Sequence, residues 1–421
     1  MKSIKINFKT FLIPVVAALM IMTSCNKELE SFPIPSVEVE PPPTGTTIAS
    51  YISTNSNYSF LDTALRTTGL YTTLLDKPGS YTLYAPSNDA FKGLIFALFN
   101  VPLNSPDDAF IGVLKNPAFK SGLTSILLHH IMTGQLTAAQ FPTTFPNVAY
   151  LSTLRLDPVL PAFAKLFPSA RAPYIYVNNV PITSPDLFSG SNGVIQGVPA
   201  IVAPPTGTLK TAIAAQPTLS YFRAAIARAD SGAVGLSRFD SLLNYGLTNM
   251  TVLAPSDDAF KALIYKLAYG SAIAKGDDAV TADAKANLAV AAGPAFLATN
   301  NVTTELIKGV MAYHFLAAES GEPDLPYQPI ERIFSVNFSP TPTFIKTLVN
   351  NAFAVHPGVL AQATFTGPIV SALTFTGLGS LPPATPYSGT PANAIPVPGI
   401  GFDRIGVNGV YYIIDQVLLP Q

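Results

Sequence analysis

A ten-residue segment that occurs twice is the feature that most constrains the fold of this chain. Thr82–Phe91 reads TLYAPSNDAF, and Thr251–Phe260 reads TVLAPSDDAF. Over the fourteen aligned positions that begin at the two threonines, ten residues are identical. Chance does not supply such a match, so the chain contains an internal repeat, and this must be settled before its elements are assigned.

The repeated segment predicts a strand that turns into a capped helix. Tyr81–Tyr84 is rich in β-prone residues, and Pro86 cannot continue a strand ladder. Ser87 or Asn88 is suited to cap the helix that follows, and Phe91 begins an apolar helical face that enters the core. The corresponding residues of the second copy are Thr251, Pro255, Ser256 and Phe260.

The length of 421 residues accommodates two domains, which we place at 46–206 and 207–421. The motif Phe precedes a histidine, His130 or His314, by 39 residues in the first copy and 54 in the second. From that histidine to the closing Asn-Gly pair there are 62 and 94 residues. The second domain therefore carries insertions near 268–300 and 325–400, which we expect to form loops on the repeated scaffold.

The first 24 residues have the pattern of a bacterial lipoprotein signal peptide. Three lysines precede the apolar run Phe11–Met22, and small residues lead to Cys25, the only cysteine in the chain. The run is too short to span a bilayer comfortably. The pattern resembles a lipobox, in which Cys25 is acylated and becomes the first mature residue. The alternative is an ordinary signal peptide with an incidental cysteine.

Residues 25–45 are expected to form a lipidated, proline-rich tether. In polyproline II form, twenty such residues would reach roughly 60 Å. The acidic and basic residues of Asn26–Glu30 resemble a signal that exports lipoproteins to the outer face of the outer membrane. We therefore expect an outer-membrane lipoprotein that faces the cell exterior, or alternatively the periplasmic face.

Each repeat continues with a histidine and closes with an Asn-Gly segment. Apolar spacing from Leu123 to Ile131 predicts a helix that ends near Gly134 and contains His130. The pairs Asn192-Gly193 and Asn408-Gly409 are hairpin-turn signals, so the apolar runs around them are predicted to be paired strands. One of these runs is Ile201–Pro204, and the second repeat ends with a stronger run that includes Asp415.

Taken in order, the strand-to-helix turn, the histidine and the closing strand resemble the fasciclin domain, an extracellular adhesion module. The resemblance covers about 46–421 as two tandem domains. It implies a mixed α+β fold in which each domain is a wedge of β-strands packed with several α-helices. It also implies structural roles for the motif residues, which are Thr82, Pro86, Phe91, His130, Thr251, Pro255, Phe260, His314, Asn408 and Asp415.

The histidines invite a reading as metal ligands or catalytic bases. No second His or Cys stands at zinc spacing, so we predict no metal site and no catalytic residue. The resemblance implies that His130 and His314 are hydrogen-bonded core residues. It leaves one alternative, because in animal relatives a Tyr-His pair, reproduced here by Tyr313 and His314, has been implicated in receptor binding.

Two pairs of adjacent acids, Asp257-Asp258 and Asp277-Asp278, stand at predicted helix starts. They could be paired carboxylates for acid–base chemistry, but helix capping and favourable contact with the helix dipole explain them more simply.

Composition narrows the class of function further. The formal charge is −1 and charged residues make up 12%, so a basic surface that would bind nucleic acid is not expected. We predict a surface-anchored module that binds a protein or polysaccharide without catalysis and without a cofactor. The alternative is an accessory glycan-binding lipoprotein of a nutrient-uptake system. The oligomeric state is left open.

Overall fold

The computed structural model describes residues 45–144, 146–246, 248–299, 302–379, 391–396 and 401–420. Pro43–Gln421 forms one compact unit. The predicted signal peptide, Cys25 and almost all of the predicted tether lie outside the described residues.

The first repeat has five α-helices and nine strands among its described residues. The helices are α1 Ile48–Thr54, α2 Ser59–Thr68, α3 Asn88–Phe99, α4 Asp107–Leu114 and α5 Lys120–His129. The strands are β1 Tyr81–Pro86, β2 Ile131–Thr133, β3 Tyr150–Arg155, β4 Phe163–Leu166, β5 Pro168–Arg171, β6 Tyr174–Val177, β7 Val180–Pro181, β8 Ser184–Gly190 and β9 Gly193–Val198.

The motif strand β1 lies in the middle of a six-stranded sheet of order β4-β3-β2-β1-β9-β8. It pairs in parallel with the closing strand β9 and antiparallel with β2. The other three strands, β5, β6 and β7, form a separate small sheet. The fold is therefore the mixed α+β class that the sequence predicts.

The strand-to-helix turn has the predicted geometry. Ser87 is extended, and its side chain accepts a hydrogen bond from the amide of Ala90, which caps α3. Pro86 is the last residue of β1, and Phe91 is fully buried. In the second repeat Ser256 caps the corresponding helix in the same way.

The second repeat has six α-helices and ten strands among its described residues. The helices are α6 Leu209–Ala214, α7 Ser220–Ala229, α8 Phe239–Asn244, α9 Asp257–Ala274, α10 Ala279–Ala291 and α11 Thr304–Tyr313. The strands are β10 Met250–Pro255, β11 Phe315–Leu316, β12 Ala318–Glu319, β13 Tyr327–Gln328, β14 Thr343–Ile345, β15 Val359–Thr366, β16 Ile369–Thr376, β17 Ala392–Asn393, β18 Arg404–Gly406 and β19 Gly409–Ile414.

The second motif strand has the same neighbours as the first. The strand β10 pairs in parallel with β19 and antiparallel with β11. The register is also the same, because Tyr81 lies opposite Gly193 and Met250 lies opposite Gly409. The two repeats are thus two copies of one sheet framework.

Three predicted elements differ from the structure. The helix α5 ends at His129, well before Gly134, because His130 is its C-cap and the next three residues form β2. The run Ile201–Pro204 has no helix or strand. The predicted hairpins are present, because β8 pairs antiparallel with β9 and β18 pairs antiparallel with β19. The glycine of each Asn-Gly pair, however, is the first residue of the closing strand and not a central turn residue.

The described parts of the insertions contain helices and strands, so the expectation of loops was wrong there. Near 268–300 the helix α9 runs on to Ala274, and α10 packs along it. Within 325–400 the strands form a four-stranded sheet of order β14-β15-β16-β17. In β15, Val359, Ala361 and Ala363 are buried in alternation, which is the pattern of a strand with one face on a core.

The two repeats contact each other through apolar and aromatic side chains. The rings of Phe167 and Phe334 lie 5.6 Å apart, and the hydroxyl of Tyr176 donates to the carbonyl of Pro368 at 3.0 Å. Both Phe167 and Tyr176 belong to a buried cluster whose other members come from the second repeat. Within the described residues, no helix is long and apolar enough to cross a membrane.

Candidate functional site

His130 is held in the core by both of its ring nitrogens. The side chain is fully buried. Its Nδ1 lies 2.8 Å from the carbonyl oxygen of Ile126, and its Nε2 accepts a hydrogen bond of 2.9 Å from the amide of Val202. It therefore joins the end of α5 to the segment that follows the closing strand.

His314 makes the same pair of contacts in the second repeat. Its Nδ1 lies 2.7 Å from the carbonyl oxygen of Val310, and its Nε2 accepts from the amide of Leu418 at 3.0 Å. Burial lowers the pKa of both His130 and His314 to about 4. A neutral ring with both nitrogens occupied has no free atom for a metal ion or a substrate proton.

The motif threonines connect the central strand to the chain that follows the histidine. The hydroxyl of Thr251 donates to the carbonyl of Glu331 at 2.8 Å and accepts from the amide of Ile333 at 2.9 Å. Thr82 forms the same two kinds of bond, with the carbonyl of Gly134 and the amide of Leu136. Each motif hydroxyl thus satisfies two backbone groups.

We expect Thr251→Val to lower the free energy of unfolding by about 2 kcal/mol. The change keeps the side-chain shape but leaves a buried amide and a buried carbonyl without this partner. The matched control is Thr347→Val, because Thr347 is fully buried and its hydroxyl has no hydrogen-bond partner among the described residues. Urea denaturation of both variants should show a loss for the first and no loss for the second. Equal stabilities would contradict this assignment.

Asn408 organises three segments around the closing strand. Its Oδ1 accepts from the amide of Leu209, at the start of α6, at 2.8 Å. Its Nδ2 donates to the carbonyls of Leu243 and Tyr245 at 3.0 and 3.1 Å. Asn192 in the first repeat bonds in the same way to Ile48, Leu75 and Lys77. These asparagines therefore fix the helical layer against the sheet.

The residue after the serine cap has a role that the sequence reasoning missed. The carboxylate of Asp257 accepts from the hydroxyl of Ser220 and the amide of Tyr221, at the first turn of α7. Asn88 in the first repeat accepts from the amide of Phe60 in α2. The signal for this role is a polar side chain at the same aligned position of both repeats. For the other acid pair, Asp278 caps α10 as predicted.

Tyr313 and His314 are both fully buried, so the structure does not favour the alternative that this pair contacts a receptor. The hydroxyl of Tyr313 donates to the carbonyl of Gly358 at 2.7 Å, which ties α11 to the inserted sheet. Asp415 also holds the insertion, because its carboxylate accepts from the backbone amide and the side-chain amide of Asn393 in β17. These residues position the added elements.

Two charged residues that are neighbours in the chain, Glu331 and Arg332, are buried and have shifted pKa values. Arg332 is buried over the ring of Phe167, 4.9 Å from its centroid, and burial lowers its pKa to about 9. Its neighbour Glu331 is also buried, which raises the pKa of that carboxyl to about 7. Among the described residues, no cluster of three or more His, Cys, Asp or Glu side chains could hold a metal ion.

The repeated polar residues thus hold the fold together, and comparisons with known proteins show what the first repeat is similar to. The family model of the fasciclin domain matches residues 56–204. Residues 56–204 therefore carry a fasciclin domain. The second repeat has the same central strand pairings and the same threonine, histidine and asparagine contacts.

Two individual proteins are also similar. Protein sll1483 of Synechocystis sp. (strain ATCC 27184 / PCC 6803 / Kazusa) is 28% identical over 159 residues, which is 38% of this chain and 74% of that protein. A solved FAS1 domain pair from the insect cell adhesion molecule fasciclin I aligns with 88% of this chain and 95% of its own, with 12% identity and a TM-score of 0.31.

Proposed function

We propose that the protein is a lipid-anchored binding module of the bacterial cell surface, with contact recognition as its activity and no catalytic step. Fasciclin domains are adhesion-type binding modules and are generally non-catalytic. The observation that supports the proposal is that the repeated polar side chains hold the fold together and do not form a reactive site. In both repeats the motif threonine, the histidine and the closing asparagine use their side-chain polar atoms in hydrogen bonds to backbone groups inside the fold.

The anchoring part of the proposal rests on the sequence before the first domain. Three lysines, the apolar run Phe11–Met22 and Cys25 have the order that lipidation requires. A tether of about twenty residues would then hold the domains clear of the lipid headgroups. The partner would be a protein or polysaccharide at the cell surface, and the outer membrane, facing the exterior, is the proposed location.

A surface groove favours a saccharide as a second candidate partner. Its volume is about 340 Å³, and it is lined by Gly235, Leu236, Asp240, Ser241, Asn244 and Tyr245. An exposed aromatic ring beside carboxylate, hydroxyl and amide groups is the combination that sugars contact through their apolar faces and hydroxyls. The groove lies outside the 325–400 insertion, which is where a glycan site would have been sought from the sequence.

We expect the full chain, expressed in a Gram-negative host, to incorporate labelled palmitate, and Cys25→Ala to abolish the label. Protease shaving of intact cells should remove the protein if it faces outward. An unlabelled wild-type chain would contradict the anchor while leaving the binding proposal intact.

Binding is tested separately with the soluble residues 26–421 on cell panels and glycan arrays. Binding that Tyr245→Ala reduces at least about tenfold would place a saccharide in the groove. Binding that this variant leaves unchanged would assign the partner to another surface. Uniformly negative panels would contradict the adhesive function.

A further inference from the structure

We propose that the two repeats form an anion-binding site where they meet, and that this site holds one small oxyanion of the sulfate or phosphate type. The proposal does not depend on the lipid anchor or on the surface partner. It rests on three basic side chains, His129, Lys165 and Arg332, here called the basic cluster. The first two belong to the first repeat and the third belongs to the second.

Arg332 is the centre of the basic cluster and is buried against the first repeat. It is 2% exposed, and its guanidinium lies over the ring of Phe167. Its Nη2 donates to the carbonyl of Val407 at 2.9 Å, whereas its Nε is buried and has no hydrogen-bond partner. A guanidinium has five N–H donors and a full charge, so one backbone carbonyl compensates it poorly.

Two basic side chains of the first repeat lie within electrostatic reach of Arg332. Lys165 in β4 is half-buried, and burial together with the charge of Arg332 lowers its pKa. Its Nζ donates to the uncharged Oδ1 of Asn249 at 3.4 Å. His129, at the end of α5, is fully buried, and its pKa is lowered to about 3 by burial and by the charges of His130 and Arg332. Each member of the cluster therefore disfavours charge on the others.

One ring nitrogen of His129 also lacks a partner. The hydroxyl of Ser152 donates to the carbonyl of Ala164 at 2.9 Å, so its oxygen accepts from the Nδ1–H of His129 at 3.3 Å. The Nε2 of His129 is buried without a hydrogen bond. A proton on Nε2 has no acceptor among the described residues, and an oxyanion beside the ring would supply one.

No carboxylate of the described residues neutralises the basic cluster. The ion pairs of the described chain include neither Arg332 nor Lys165. Glu331 precedes Arg332, but burial raises the pKa of its carboxyl to about 7, whereas a guanidinium beside it would lower that pKa. The carboxylate of Asp403 accepts from the amide and the hydroxyl of Ser335. The positive charge of the site is therefore uncompensated within the described chain.

A further cation adds to the positive potential around the cluster. The side-chain amide of Asn147 donates to the carbonyl of Arg332 at 2.8 Å, and its Oδ1 accepts from the guanidinium of Arg171 at 3.2 Å. Arg171 likewise has no ion pair among the described residues. The region thus carries several positive groups and no described negative partner.

The chemistry of the cluster determines the class of ligand. Guanidinium and ammonium groups bind oxyanions through charge-assisted hydrogen bonds, and a guanidinium can offer two parallel donors to two oxygens of one anion. A buried charge without a counter-charge is strongly unfavourable, so an anion at this site would stabilise the folded chain. Lys165 is the partly exposed member of the cluster, so the anion enters beside it. This limited access favours a small anion over a polymer.

The test uses residues 26–421 in equilibrium dialysis against radiolabelled sulfate, with sodium chloride holding the ionic strength constant. We expect saturable binding of one sulfate per chain, and unlabelled phosphate should displace it. Arg332→Met should weaken binding at least about tenfold, because it removes the buried charge and its donors. Lys165→Met should weaken binding about fivefold, since this side chain is partly exposed.

The matched control is Lys308→Met, because Lys308 is exposed on α11 and has no ion pair among the described residues. It removes the same charge outside the cluster and should bind sulfate like the unmodified chain. Circular dichroism establishes that each variant is folded, and Lys165→Met carries the test if Arg332→Met does not fold. Thermal melts in millimolar sulfate give a second readout. The shift should saturate in the unmodified chain, whereas a general salt effect would not saturate and would be equal in all variants.

Two results would overturn the proposal. The first is the absence of saturable binding, or binding that the cluster variants and the control retain equally. The second is binding by residues 43–421, the compact unit, that residues 26–421 do not show. In that case a carboxylate of the preceding segment, which contains Glu28, Glu30, Glu38 and Glu40, would occupy the cluster in place of a free anion.

Discussion

Gly409→Ala should destabilise the second repeat by at least about 4 kcal/mol, the largest single-residue effect that we expect. A Cβ at this position would overlap the backbone carbonyl oxygen of Met250 and the side chain of Leu209. Met250 is the residue directly opposite in the parallel pair of β10 and β19. A backbone oxygen inside a sheet cannot move without breaking the strand pairing, so the overlap is not relieved by side-chain rotation.

The first repeat provides an independent test at the equivalent position. A Cβ on Gly193 would overlap the carbonyl oxygen of Tyr81 and the side chain of Ile48. We expect Gly193→Ala to be destabilising for the same reason. Agreement between the two repeats would show that the closing glycine is required for close approach of two strands.

The matched control is Gly270→Ala, in the interior of α9, where a Cβ would meet open space. This change should stabilise the protein by about 0.5–1 kcal/mol, because glycine is the poorer helix former. The measurement is urea denaturation, or the yield of soluble protein if Gly409→Ala fails to fold. A Gly409→Ala protein within about 1 kcal/mol of the unmodified chain would contradict the steric reading.

Gly193 and Gly409 show which kind of feature the local sequence does not predict. The strand, the serine cap and the buried Phe91 were predicted correctly because each signal lies within a few residues of its effect. The role of Gly409 depends on Met250, which is 159 positions away along the chain. The local rule correctly placed a hairpin turn at the Asn-Gly pair, but the parallel partner strand β10, which comes close to the glycine, cannot be seen from the local sequence.

The helix α5 and the inserted sheet illustrate two other reasons for error. The apolar run around His130 continues from the helix into β2, and a short apolar strand after a helix has the same hydrophobic signal as a further helical turn. In Val359–Thr366, alternation of buried residues was present but small alanines and threonines made it weak. The contacts of His314 and Thr251 required the folded chain, although the resemblance implied that such residues are structural.

We expect the stability of the protein to fall by about 3 kcal/mol between pH 7 and pH 5, from the balance of buried histidines and acids. Burial lowers the pKa of His129 to about 3 and that of both His130 and His314 to about 4. For His130 and His314 the neutral form is also required by geometry, because Nε2 accepts a backbone N–H in each. Protonation of Nε2 would turn it into a donor that faces the backbone N–H it now accepts, so the hydrogen bond would be lost.

Whether acid raises or lowers the stability depends on which state, folded or unfolded, binds more protons. Below about pH 6.5 the unfolded chain protonates these histidines, whereas the folded chain does not until about pH 4, so acid favours the unfolded state. The buried acids oppose this loss. Burial raises the pKa of Glu331 to about 7 and raises that of Asp403, so the folded chain takes up protons on them before the unfolded chain does. Arg332, with its pKa lowered to about 9, stays charged throughout this range.

Proton uptake by Glu331 opposes the loss of stability in acid, and Glu331→Gln removes this contribution. This variant should be more stable than the unmodified chain at pH 8, by about 2 kcal/mol, because it no longer buries a carboxylate there. Its loss of stability between pH 7 and pH 5 should be steeper, by a similar amount, because the proton uptake by Glu331 is gone. The measurement is urea denaturation at four or five pH values for both proteins.

Asp62→Asn provides the control, because Asp62 lies on the surface of α2 in an i,i+4 ion pair with Arg66. Its pH profile should be parallel to that of the unmodified chain over this range, since exposed pairs of this kind contribute less than about 1 kcal/mol. A flat profile for the unmodified chain, or a shallower one for Glu331→Gln, would contradict the assignment. A steeper profile in Glu331→Gln alone would show that the Glu331 carboxyl offsets part of the cost of the buried histidines.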